Sequence, residues 1–211
     1  MAILQAGRKA GGDGSAPWLG IQKANIVEFR DESSKWDWAE IYLVAELKVS
    51  GSDYNRPLKI AGSFERNPDG TVQENSLVRR INYLCVAMGW NGGINQHGKF
   101  EDEDGKEIDD IASYLNDMFA DNSASIPGAG SDNYPYLVYV YKELPKNGKS
   151  YTRVHNKIMK NEGTNERKLA DHIAYLKKNN YLKEAPETSS GSDTLVVDNI
   201  DDLKGMTLEN L

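Results

Sequence analysis

A single cysteine, Cys85, in 211 residues excludes an internal disulfide framework. Long apolar runs are missing as well. None approaches the roughly 18 residues a membrane helix needs, and the Gly-rich start MAILQAGRKAGGDGSAP has no hydrophobic stretch of signal-peptide length. The expectation is a cytoplasmic protein with a flexible arm over 1–17 and no membrane contact. His97, His155 and His172 form no HxxxH or HxH pair and have no Cys beside them, so no zinc-ligand spacing is read. There is no GxxxxGK[ST] motif and no strand–GxGxxG–helix pattern; Gly128-Ala129-Gly130 lacks the following Lys and helix of a phosphate cradle. No catalytic residue, metal or cofactor is expected, and the protein is not read as an enzyme. Basic residues are in deficit, 25 Lys and Arg against 32 Asp and Glu, for a net charge of −7.

That deficit is unevenly distributed. Residues 186–211 hold six acids against Lys204, a net of −5, which leaves −2 on the rest of the chain. Residues 100–132 hold ten acids and one Lys, a net of −9, so 1–99 and 133–185 together carry +7. The overall acidity conceals a basic part. The acidic run itself does not fit a calcium loop: with Gly105 at the sixth position the first falls on Phe100, which offers no side-chain oxygen. Consecutive acids in a loop point in all directions and read as solvated.

The periodicities predict strands over 18–29, 38–50 and 58–64. In 38–50, Ala39, Ile41, Leu43, Ala45, Leu47 and Val49 make one apolar face, with Trp38, Glu40, Tyr42, Val44, Glu46 and Lys48 on the other. Gly62 marks a bulge or bend. A helix follows over 76–89, with Leu77, Ile81, Leu84, Cys85 and Met88 on one side, Asn75 or Ser76 as cap and Gly89 as stop. An insertion, 91–133, contains a second helix over 108–120. Two strand-like runs flanking Asn147-Gly148 predict a hairpin, and a third helix spans 165–183. The fold class is mainly β with helices: a five-stranded Greek-key barrel of the oligonucleotide-binding (OB) type, its helix between strands three and four, with extra helices, occupying 18–185. An open α+β sheet is the alternative. Residues 186–211 read as a disordered acidic tail.

The late hairpin is the most suggestive stretch. From 142 to 160 there are six Lys or Arg and one acid, Glu143. Alternation sets Lys149, Tyr151, Arg153, His155 and Lys157 on one face, a cationic strand with an aromatic ring in it. Phosphates and stackable bases need such a surface; a solvated sheet face has the same composition. Trp38, Tyr42 and Lys48, followed by Tyr54, Arg56 and Lys59 across the next turn, extend the candidate surface, unless Trp38 and Tyr42 pack under a helix as a second small core.

These features together, the alternating strand 38–49, the helix 77–88 between barrel halves, the KSYTRVHNKI strand and the acidic tail after Pro186, resemble the phage-encoded single-stranded DNA-binding proteins with an OB barrel. The resemblance implies sequence-independent binding of single-stranded DNA in phage DNA replication, recombination or repair, with no chemistry performed. Lys149, Tyr151, Arg153 and Lys157 are then first-rank contacts and Trp38, Tyr42, Lys48, Tyr54, Arg56 and Lys59 second-rank. Asp198, Asp201, Asp202, Leu208 and Leu211 of the tail would dock replication or recombination partners, and a homodimer is left open. Two other readings stand beside this one: an acidic interaction protein mimicking DNA to bind a host protein, and a metal-dependent nuclease using acids 102–110.

Overall fold

The computed structural model describes residues 19–125, 134–144 and 151–185. The proposed arm, the Asn147-Gly148 turn with Lys149, and the acidic tail with Asp198, Asp201, Asp202, Leu208 and Leu211 lie outside them.

Three long strands open the domain: β1 (Gly20–Asp31), β2 (Ile41–Val49) and β3 (Arg56–Gly62). Next come α1 (Ser76–Met88), a short hairpin of β4 (Gly93–Ile94) and β5 (Phe100–Glu101), and α2 (Ile111–Phe119). The second half holds β6 (Tyr136–Lys142), β7 (Thr152–Val154), β8 (Met159–Lys160) and α3 (Asn165–Lys178). The main sheet runs β3-β2-β1-β6-β7, every neighbour antiparallel, with β8 also pairing with β6. The two edges, β3 and β7, come back together, so the sheet is a nearly closed five-strand barrel. Counting directions around it, β3 and β7 run parallel at this seam. With α1 between the third and fourth barrel strands, the architecture is OB-like.

The inward set follows the alternation. Leu43, Ala45, Leu47 and Val49 of β2 meet Ala24, Ile26 and Phe29 of β1, Leu58 and Ile60 of β3, and Val138 and Val140 of β6. β1 keeps its apolar residues inside by a bulge: its register against β2 slips between Ile26 and Glu28, so Ile26 and Phe29 both point inward. Burying each such side chain contributes about 1.5–3 kcal/mol. Gly62, at φ +155°, ends β3 in a conformation that side chains disfavour, turning the chain toward α1.

α1 closes the barrel with Leu77, Ile81, Leu84, Cys85, Ala87 and Met88. In its first turn the Leu77 and Val78 amides donate to Asn75 Oδ1 at 3.0 and 3.1 Å, and Gly89 ends it in the left-handed region at φ 72°. α2 places Ile111 and Leu115 in the same core, with Trp90 and Phe100 beside them; Met118 faces solvent instead. α3 is shorter than its periodicity predicts and lies outside the barrel, where Leu169 and Ile173 cover Leu137 and Tyr139 of β6.

Candidate nucleic-acid interface

The β1–β2 loop is built by short-range hydrogen bonds. Asp31 Oδ1 accepts from the Ser33 amide and hydroxyl at 2.9 and 2.5 Å, which starts a 3-10 turn over Ser33–Lys35. Ser33 Oγ in turn accepts from the Tyr42 amide at 2.8 Å, and the Ser63 hydroxyl donates to Trp38 O at 3.0 Å. The expected strand over 38–50 therefore starts at Ile41, and Trp38 belongs to the loop.

On this frame stand three rings. Trp36 stacks on Tyr42 with centroids 5.4 Å apart and planes 17° off parallel. Trp38 meets Tyr42 edge-on at 6.0 Å and Trp36 at 6.4 Å. Tyr42 is 8% exposed, seated on Ala39, Val44 and Ala61, while Trp36 and Trp38 are 41% and 58% exposed. The Lys59 ammonium lies 5.9 Å from the Tyr42 ring. The small second core weighed for Trp38 and Tyr42 exists, but among the described residues no α-helix packs in it: Tyr42 is its floor and the two indoles are its open top. Trp36 is the residue that sequence reading missed, because it precedes the strand whose alternation drew attention to Trp38. Its signal was the W-x-W spacing at a loop–strand junction.

Charge around the platform is asymmetric. On the β1 side, Arg30 is held between Glu46 at 2.6 Å and Glu28, with Glu32 at 3.6 Å. Its hydrogen bond with Glu46, and that with Glu28, raise its pKa, so the guanidinium stays charged but already paired. Glu32 is also paired with Lys35 at 3.2 Å, so three carboxylates face two cations and this side keeps a net of about −1 with both cations engaged. On the β3 side Lys59 is exposed.

The remaining candidates divide into two groups. The pairings Gly20↔Val140 and Ala24↔Val49 put the β2–β3 turn and the start of β7 at the barrel end opposite the tryptophans. There Tyr54 is exposed, Arg56 begins β3, and Lys48 Nζ donates to Ser52 O at 3.2 Å. At the same end Tyr151 is 51% exposed, with the Arg153 guanidinium 5.5 Å from its ring. Arg153 Nε also donates to Glu143 Oε2 at 3.0 Å, so part of its charge is compensated. Lys157 does not share their face as alternation predicted. β7 stops at Val154, His155 donates its amide to Tyr139 O, and the chain turns Lys157 over Tyr83 of α1.

Among the described residues no three His, Cys, Asp or Glu side chains are grouped to hold a metal ion. Asp102 is engaged in its own turn, accepting from the Asp104 and Lys106 amides at 3.0 and 2.9 Å. Burial pushes the Cys85 thiol up to about 12. Among the described residues no helix is long and apolar enough to cross a membrane.

Fold and platform together define an OB-like barrel with solvent-facing tryptophans at the loop between its first two strands. No family model and no curated protein matches the sequence.

Proposed function

We propose that this protein binds single-stranded DNA without reading its sequence, in phage DNA replication, recombination or repair, and performs no chemistry on it. Bases stack on Trp36, Trp38 and Tyr42, and Lys59 neutralises phosphate beside them. Its acidic tail docks replication or recombination proteins. The observation that carries the reading is the pair of exposed indoles braced against a buried Tyr on the outer face of β2. OB barrels hold oligonucleotides on the face of strands two and three and on the adjoining loops. Exposed tryptophan costs hydration free energy, and a hydrogen-bonded loop that keeps two of them outside suits a stacking surface. Each stacked base contributes about 1–3 kcal/mol.

The test is a titration with oligo-dT followed by intrinsic fluorescence and by anisotropy of a labelled strand. Indole emission should quench on binding, and Trp36→Ala with Trp38→Ala should weaken affinity at least tenfold while the melting temperature changes little. Unaltered affinity in that double variant, or no binding by the wild type at low salt, rejects the proposal. The second result would favour a protein partner for the acidic surface.

A further inference from the structure

Four basic side chains from three elements converge at the end of the β3–β7 seam. His155, in the turn after β7, faces His172 of α3 with ring centroids 5.6 Å apart. His172 meets Tyr83 of α1 edge-on at 6.4 Å, and Lys157 Nζ lies 4.9 Å from the centre of the same Tyr83 ring. Arg80, one turn back on α1, adds its charge to those of Lys157 and His172 in the field at His155. Among the described residues none of the four enters an ion pair. Gathering like charges where burial thins the water works against folding. Burial, and then the neighbouring cations, hold both imidazoles below their ordinary range. An anion arriving here would reverse each of these penalties.

The cluster adjoins the aromatic platform. Arg80 Nη1 donates to Ala61 O at 3.3 Å, and Ala61 is the β3 residue paired with Tyr42. Beyond it, a groove of about 630 Å³ opens between α1, β8 and α3, lined by Tyr83, Val86, Lys157, Met159, Lys160 and Lys168, with Glu162 as its one acid. In the other direction Glu28, Glu32 and Glu46 outnumber Arg30 and Lys35, and both cations are already paired with them. Among the described residues Lys59, Arg80 and Lys157 on the β3 side enter no ion pair, so a strand leaving the platform finds uncompensated cations over β3.

We propose that Arg80, Lys157 and His172, grouped around Tyr83, bind a backbone phosphate of the strand stacked on Trp36, Trp38 and Tyr42, and that the strand continues into the α1–α3 groove. This rests on the single-strand reading above and gives that strand a direction and a second anchor. Arg80 and Lys157 supply fixed positive charge, and His172 supplies a ring N–H. Tyr83 keeps Lys157 in place through its π-face and offers a ring to the next base.

The experiment compares labelled dT strands of about five and about twenty nucleotides, spanning the usual range for one OB barrel, at several salt concentrations. Arg80→Gln with Lys157→Met should weaken the long strand at least tenfold and spare the short one. With about 0.7 of a slope unit per phosphate on single strands, losing this one phosphate should flatten its salt dependence by about 0.7. The double variant should melt no lower than the wild type, because it relieves repulsion. If it does melt lower, Lys168→Glu, an exposed change on α3, must still weaken the long strand and spare the short one. Trp36→Ala with Trp38→Ala should weaken both lengths. Loss in the tryptophan variant alone overturns the phosphate site and leaves the platform standing; loss in neither overturns the single-strand reading itself. Equal loss of both lengths in the Arg80–Lys157 variant overturns the exit path. A short strand that gains affinity from a 5′-phosphate through these residues, with the long strand indifferent to them, also overturns it in favour of a terminal-phosphate site.

Discussion

His155 shows how one side chain can tie stability to pH in this molecule. Its amide donates to Tyr139 O, and its Nδ1 accepts from the Lys157 amide at 3.1 Å, a bond that a proton on Nδ1 would break. Facing it are His172 from α3, Arg80 from α1 and its neighbour Lys157, all basic. Burial first, and these charges second, bring its pKa down from 6.5 to about 4. The folded state therefore prefers neutral imidazole, while the unfolded chain takes up a proton below about 6.5. Stability from this group is complete above 6.5 and is lost as pH falls toward 4. Over pH 7 to 5 the loss should reach at most about 2 kcal/mol. Urea unfolding at both values should show it, with a smaller loss in His155→Gln, which keeps an acceptor; His172 titrates in the same sense and leaves a remainder. Equal losses in the two proteins would sink the assignment. Little of this was legible beforehand: the sequence places His155 on a face with Tyr151 and Arg153, and only the end of β7 at Val154 turns it inward.

At the scale of elements, legibility tracked how local the determining contacts are. α1 was readable because its apolar stripe, its Asn75 cap and its Gly89 stop are all encoded within fifteen residues. β2 was readable on its inner face for the same reason. The insertion was not, because its role is a distant one. β6 pairs with β1 only as far as Ala24, so the β1 backbone beyond that point needs another partner. Asn116 of α2 provides it: Oδ1 accepts from the Phe29 amide at 2.7 Å, and Nδ2 donates to Phe29 O at 2.9 Å. The Asp121 amide does the same for Ile26 O at 2.9 Å. One side chain thus replaces a rung of sheet, and nothing near position 116 announces it. Asn116→Ala should cost about 2–4 kcal/mol, since two part-buried backbone groups lose their partner at once. A loss below 1 kcal/mol in chemical denaturation would mean that water substitutes freely there.

At the scale of the whole chain, charge and topology have to be read together. Closure of the barrel depends on β3 meeting β7 across some ninety residues of sequence, a contact that periodicity within either strand cannot disclose. The charge map was legible from the outset, but its meaning required the fold. Arg80, Lys157 and Lys168 are scattered in sequence and gather only when α1, the β7–β8 turn and α3 pack together. The acids of 186–211 bring the net charge from −2 to −7, and at low ionic strength charge of that sign opposes any approaching phosphate backbone. Removing 186–211 should therefore tighten binding to single-stranded dT a few-fold at about 50 mM salt, and the difference should fade at about 300 mM as screening shortens the reach of the missing charges. The same deletion should abolish capture of the replication or recombination partners assigned to the tail. Weaker binding to dT after the deletion would show that these residues contribute contacts to the strand, and would remove the ground for assigning the tail to partners.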